Sequence, residues 1–163
     1  MDNTTSKPQN TAVNGLITAI SRNKEAGGLA QYLGAQSWYM LAEYLRPHSF
    51  KSGHVLISQG GLDRNLYFLE SGSLKVEVKT DAGFAPLAIL GPGTVVGEGS
   101  FFCSLSRNAS VLAYSDCKVW ELSPADFDAM AKRFPTVALT LSMALGAILA
   151  SRMHDVSRRI AVT

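Results

Sequence analysis

The spacing of apolar residues changes character twice along the chain. Over 15–45 they recur at helical intervals: Leu16, Ile17 and Ile20, then Leu29, Tyr32 and Leu33, then Tyr39, Met40, Leu41, Tyr44 and Leu45. Gly27-Gly28 and Gly34 cut this stretch into short helices, and Pro47 closes it. Residues 1–14, ahead of it, are polar and contain a proline, which predicts a flexible tail. From 48 to 122 the pattern becomes one of short alternating runs: VLIS (55–58), NLYFLE (65–70), SLKVEV (73–78), PLAIL (86–90), ASVLAY (109–114) and CKVWEL (117–122). The turn clusters KSG, QGG, ESG, TDAG, GPG and YSD separate them. Six or more strands recurring about every ten residues predict an antiparallel sandwich or barrel. Helical spacing returns over 124–159. Ser123 can cap the first helix, Pro124 suits its first position, and Asp126 faces the positive end of its dipole. Phe134-Pro135 then starts a second helix over 135–159. Helices, a β roll, then helices make an α+β fold, with one domain over 15–163.

Composition narrows the class. The chain has 163 residues, about one domain's worth. Apolar residues make up 47%, enough for a core. Charged residues make up only 17%, which excludes a disordered chain. A net charge of +2 gives no general drive toward nucleic acid or a membrane. The uncharged run 134–151 only reaches the lower limit of a membrane span and predicts a buried helix. The polar start lacks a secretory apolar core. Cys103 and Cys117 form neither a disulfide framework nor a metal motif, so they are expected as reduced thiols in a cytoplasmic protein. His48, His54 and His154 are scattered, and no metal is expected.

The chemistry concentrates in 91–111, GPGTVVGEGSFFCSLSRNASV, between two strands. Gly97 and Gly99 let the backbone approach a ligand and tolerate positive φ. Glu98 to Phe102 fit one helical turn, whose free N–H groups suit an anion. Arg107 can return across the short loop and offer a planar fork of donors to a phosphate. Asn108 and Ala109 can add backbone N–H groups. Glu98 is a poor phosphate contact, but as a carboxylate it accepts from a sugar hydroxyl. The pair therefore suits a ligand with both a sugar and a phosphate. The same two residues also fit a surface ion pair in a glycine-rich loop.

This stretch resembles the phosphate-binding cassette of cyclic nucleotide-binding domains, matching at Gly97, Glu98, Phe101, Phe102, Arg107, Ala109 and Ser110. FKSGHVLISQGG (50–61) and LYFLESGSLKV (66–76) resemble the family's first strands, with Gly60 and Gly72 at its turn glycines. The likeness covers about 38–159. It implies a jelly roll of about eight strands between N-terminal helices and a long C-terminal helix. It also implies a regulatory domain for a cyclic mononucleotide, cAMP or cGMP, with Glu98 on the ribose 2′-hydroxyl. Arg107 and the backbone of Gly99, Ser100 and Ala109 would take the phosphate. Two positions depart from the family. Gly99 stands where a bulky apolar residue is usual. Asn108 stands where Ser, Thr or Ala is usual, and it leaves the choice of nucleotide open. By register, Val76, Leu87, Ala88 and Val96 line an apolar wall behind the ribose and base, or are ordinary strand core.

The last helix places Val137, Leu141, Ala144, Ile148 and Ser151 on one face and Leu145, Leu149 and Arg152 on a neighbouring one. One face suits the β roll and another a second copy, predicting a homodimer. By the family's register Arg152 and Met153 fall where a base-capping residue sits, with Asp155 one step on; a solvated helix end is the alternative. The chain resembles the sensor half of catabolite-activator-type regulators and stops at Thr163, where their helix-turn-helix head starts, so direct DNA binding is not expected. The signal would then leave through the terminal helices or to a protein partner in trans. No Gly-x-Ser-x-Gly elbow and no paired strand histidines occur, so no enzyme is expected. The competing reading is a ligand-free protein-interaction module of the same fold.

Overall fold

Eight strands pair into two four-stranded antiparallel sheets in the computed structural model, which describes residues 9–25 and 28–155. One sheet has the order β1 (Arg46–Phe50), β8 (Cys117–Leu122), β3 (Leu66–Ser71), β6 (Val95–Val96). The other has the order β2 (Val55–Ile57), β7 (Ser110–Ala113), β4 (Leu74–Thr80), β5 (Gly83–Leu90). Alternation along the strands builds two cores. Tyr67, Leu69, Val96 and Val119 of the first sheet meet Leu74, Val76 and Val111 of the second inside the roll. Leu66, Phe68, Val95, Trp120 and Leu122 point the other way, under the helices. The middle of the first sheet is thus buried on both faces, most completely along Leu66–Leu69 of β3 and Val95–Val96 of β6, while the edge strand β1 is largely exposed.

The helices contributing to the core on that outer face are α2 (Asn14–Arg22), α3 (Ala35–Leu41), α5 (Pro124–Arg133) and α6 (Pro135–His154), with 3₁₀ turns at Leu29–Gln31 and Ala42–Tyr44; α1 (Gln9–Ala12) precedes α2, and a one-turn α4 (Glu98–Phe101) follows β6. Trp38 of α3 meets Phe68 edge to face, with ring centroids 5.3 Å apart. Ser123 caps α5 by accepting from the Asp126 amide, and Pro124 occupies its first turn. The tail expected over 1–14 is corrected in its second half. Helix starts at Gln9, Val13 is fully buried, and the Asn14 carboxamide accepts from the Tyr39 hydroxyl at 2.8 Å. Val13 in the core and the Asn14–Tyr39 bond tie this polar stretch to the fold. Residues 1–8 lie outside the described residues. The helix expected over 135–159 ends at His154, and Asp155 is extended; 156–159 lie outside the described residues.

By length and composition α6 could cross a membrane, but here one side of it is packed in the core. Val137, Leu141, Ala144, Leu145 and Ile148 are buried. Leu139, Met143, Gly146, Ala150 and Met153 form an outward row at spacings of four and three. The two faces expected to divide between the roll and a second copy both turn inward: Val137, Leu141, Ala144 and Ile148 of one and Leu145 and Arg152 of the other are buried, and the outward row is a third face.

Candidate functional site

The chain leaves the first sheet at β6 and enters the second at β7, and the 97–109 segment spans the gap. Val96 pairs with Tyr67 and is fully buried in the roll's interior. Gly97 turns the chain with φ of +93°. A Cβ there would lie 2.4 Å from the Asn65 carbonyl oxygen and 3.0 Å from Nη1 of Arg107, so only glycine fits. One helical turn, α4 (Glu98–Phe101), follows. Gly99 is part of this turn and keeps an ordinary helical conformation, so of the two glycines only Gly97 uses its tolerance of positive φ.

Glu98 and Arg107 are not the surface pair that the loop's composition allowed. Each is buried and each has its own partners. Glu98 is fully buried and binds Nη1 of Arg152 through Oε1. Nη2 of Arg152 donates to the Val95 carbonyl at 3.0 Å, and its Nε lies 3.8 Å from Glu25. Arg152 is therefore neither a solvated helix end nor a plane open to a base; it is 2% exposed between two carboxylates. Burial pushes the Glu98 carboxyl above its ordinary range, and the Arg152 guanidinium pulls it back down. Among the described residues, Oε2 of Glu98 has no hydrogen-bond partner.

Arg107 faces the loop between β2 and β3. Its Nη1 donates to the Gly97 carbonyl at 3.0 Å, and its Nη2 to Asp63 and the Asn65 carbonyl, both at 2.7 Å. Its backbone exchanges bonds with Gly60 and Gly61. The residue is 1% exposed, and among the described residues its Nε has no hydrogen-bond partner. Close by, Tyr67 is buried, and that burial raises its phenol above the ordinary range. The remaining expected residues divide by depth. Ser100 and Ala109 are buried, Gly99 is half-buried and Asn108 is exposed. Val76 belongs to the interior core, with half-buried Leu87 and Ala88 packed against it. Leu87 sits where the pairing of β4 and β5 slips by one residue.

Sequence reasoning missed Asp63, Arg64, Asn65 and Glu25. The signal for the first three was a polar tripeptide with one acid and one base, between the turn glycines and the buried strand start at Leu66. Glu25 offered none, since its partner lies far along the chain. Among the described residues no group of three or more His, Cys, Asp or Glu is placed to hold a metal ion.

Comparison with known proteins follows the same segment. The family described as "Cyclic nucleotide-binding domain" matches residues 47–134, more than half of the chain. The Cyclic AMP receptor protein of Thermus thermophilus is 32% identical over 114 residues, 69% of this chain and 50% of that protein. The cAMP-activated global transcriptional regulator CRP of Escherichia coli is 30% identical over 125 residues, 76% of this chain and 57% of that protein. The chain thus spans about half the length of these relatives. A solved cyclic nucleotide-binding domain from Methylobacillus flagellatus matches with a TM-score of 0.77 at 18% identity, over 93% of this chain and 83% of that one. Thermus thermophilus Catabolite Activator Protein matches with a TM-score of 0.67 at 30% identity, over 78% and 58%.

Proposed function

The chain belongs to the cyclic nucleotide-binding domain family, and on that premise we propose that it is a regulatory domain taking a cyclic mononucleotide, cyclic AMP or cyclic GMP. One observation carries the reading. Among the described residues, the cassette contains two buried side-chain polar atoms without hydrogen-bond partners, and they are of opposite kinds: the acceptor Oε2 of Glu98 and the donor Nε of Arg107. Buried polar groups are normally satisfied, and leaving one unmade costs about 1–3 kcal/mol. A ribose hydroxyl supplies the missing donor and a phosphate oxygen the missing acceptor. Glu98 would accept the 2′-hydroxyl on Oε2 while Oε1 keeps Arg152. Arg107 would donate from Nε while Nη2 keeps Asp63, and the amides of Gly99, Ser100 and Ala109 would add neutral donors. Val96 and Leu87 would back the sugar and base, with Asn108 at the rim. Arg152 acts through Glu98 rather than on the base.

We place the chain in the cytoplasm and read its role as regulatory rather than catalytic. The outward row of α6 is read as the seam of a homodimer. The helices would carry the signal to that second copy or to a protein partner in trans.

A second reading, a ligand-free interaction module, is favoured by a different observation. The Arg107 fork already holds Asp63, and Glu98 already holds Arg152, so both charges are neutralised within the protein. Calorimetric titration with cyclic AMP and cyclic GMP separates the two. Saturable heat with either nucleotide, lost in Glu98→Ala, is expected. No heat and no thermal shift at millimolar nucleotide would leave the interaction module.

A further inference from the structure

The turn that carries Glu98 is too short to hold itself. α4 is a single turn of four residues with no side-chain cap at its start. One turn fixes several dihedral angles in exchange for very few backbone bonds. Here the Phe101 amide donates to the Gly97 carbonyl at 3.2 Å. The last carbonyls of such a turn need outside donors. Arg64 provides them: its Nε donates to the Ser100 carbonyl at 3.2 Å and its Nη2 to the Phe101 carbonyl at 2.6 Å. Both bonds are charge-assisted, and the planar guanidinium spaces its two donors to meet successive carbonyls.

Its neighbours serve the other half of the site. Asp63 and Asn65, on either side of Arg64, bind Arg107. The next residue, Leu66, is fully buried where β3 pairs with β8. Three consecutive residues on a strand-anchored loop therefore grip both ends of the cassette.

We propose that Arg64 is the positioning residue of this site: its guanidinium fixes the end of α4 and so sets where Glu98 stands relative to Arg107. The effect on ligand affinity rests on the cyclic-nucleotide reading above; the effect on the turn does not. A lysine at 64 offers one ammonium in place of a fork and holds the turn only in part.

Hydrogen exchange on the ligand-free chain, comparing wild type, Arg64→Lys and Arg64→Ala, tests this. The Phe101 amide reports on the turn, and the Leu69 amide, bonded to the Thr94 carbonyl in the sheet region, reports on the whole fold. Exchange at Phe101 is expected to quicken about tenfold in Arg64→Ala and by an intermediate amount in Arg64→Lys, with Leu69 unchanged. Nucleotide affinity should fall in the same order, again about tenfold for Arg64→Ala. Unchanged exchange at Phe101 overturns the proposal. Faster exchange with wild-type affinity also overturns it, since Arg64 would then steady the turn without positioning the site. If Arg64→Ala does not fold, the lysine variant decides by the same comparison. If wild type takes up neither nucleotide, the function reading falls, and exchange at Phe101 alone judges Arg64.

Discussion

Glu98 and Arg152, 54 residues apart, form a buried ion pair that ties the cassette to the last turn of α6. Two charges taken out of water seldom repay their desolvation, so the pair is weak evidence of net stability. What it provides is a connection: a hydroxyl arriving at Oε2 of Glu98 meets a carboxylate whose other oxygen holds the C-terminal helix. Glu25 at 3.8 Å extends the connection to the segment after α2.

The pair predicts a pH dependence. Burial raises the Glu98 carboxyl above its ordinary range, against the pull of Arg152. A group raised on folding contributes stability below its unfolded pKa and loses it as pH climbs through the folded value. Arg152→Met removes the downward pull, so the loss becomes larger. Urea unfolding should show the variant close to wild type near pH 4 and weaker by about 3–5 kcal/mol near neutral pH. A gap that instead widens toward acid pH would contradict this account of the pair.

Two glycine substitutions should separate site from scaffold. At Gly97 a Cβ would strike the Asn65 carbonyl and crowd Arg107; at Gly72, with φ of +84°, it would lie 2.3 Å from the Asp116 carbonyl, in a turn outside the cassette. Each alanine should cost about 1–3 kcal/mol in backbone strain, before any shift of the struck atoms. Gly97→Ala should also lose nucleotide binding in calorimetry. Gly72→Ala should bind normally in its folded fraction.

The thiols differ in the same way. Cys103 lies in the cassette, half-buried, with its Sγ donating to the Gly99 carbonyl at 3.3 Å. Cys117 is buried, and burial pushes its thiol up, as does Asp116. A disulfide reagent should modify Cys103 in the native protein and reach Cys117 only after denaturation. Saturating nucleotide should slow the first reaction. Equal rates at both cysteines would contradict the burial order.

The outward row of α6 predicts self-association. Leu139, Met143 and Met153 are 64%, 58% and 63% exposed, in line with Gly146 and Ala150 at coiled-coil spacing. Sedimentation should give a dimer mass for wild type and a monomer for the double variant Leu139→Glu, Met143→Glu, with unchanged thermal stability of the monomer. A monomeric wild type at high concentration would remove the seam.

Locally encoded features were legible in the sequence. Ser123, Pro124 and Asp126 start α5 through contacts within a few residues, and the capping bond is present at 3.0 Å. Six strands were found where one face alternates or an apolar run is bounded by turns. β1, with the sequence RPHSF, and the two-residue β6 were not, because neither is long or apolar enough to show a period. The order of helices, roll and helices also follows from local pattern, whereas the segment between two strands stood out by residue type and was identified as a cassette only through its resemblance to the family.

The directions and partners of the charged side chains did not. Arg107 reads as a surface donor in a glycine-rich loop; folding buries it against Asp63, 44 residues away. Arg152 reads as a solvated end or a base cap; folding sets it against Glu98. Periodicity reports which residues leave water, and it is set by neighbours three or four positions apart. A charge's partner is chosen by which distant elements the packed sheets and helices bring to it. Once burial removes water as an alternative, that geometry alone settles which buried atoms are paired and which, on Glu98 and Arg107, are left open.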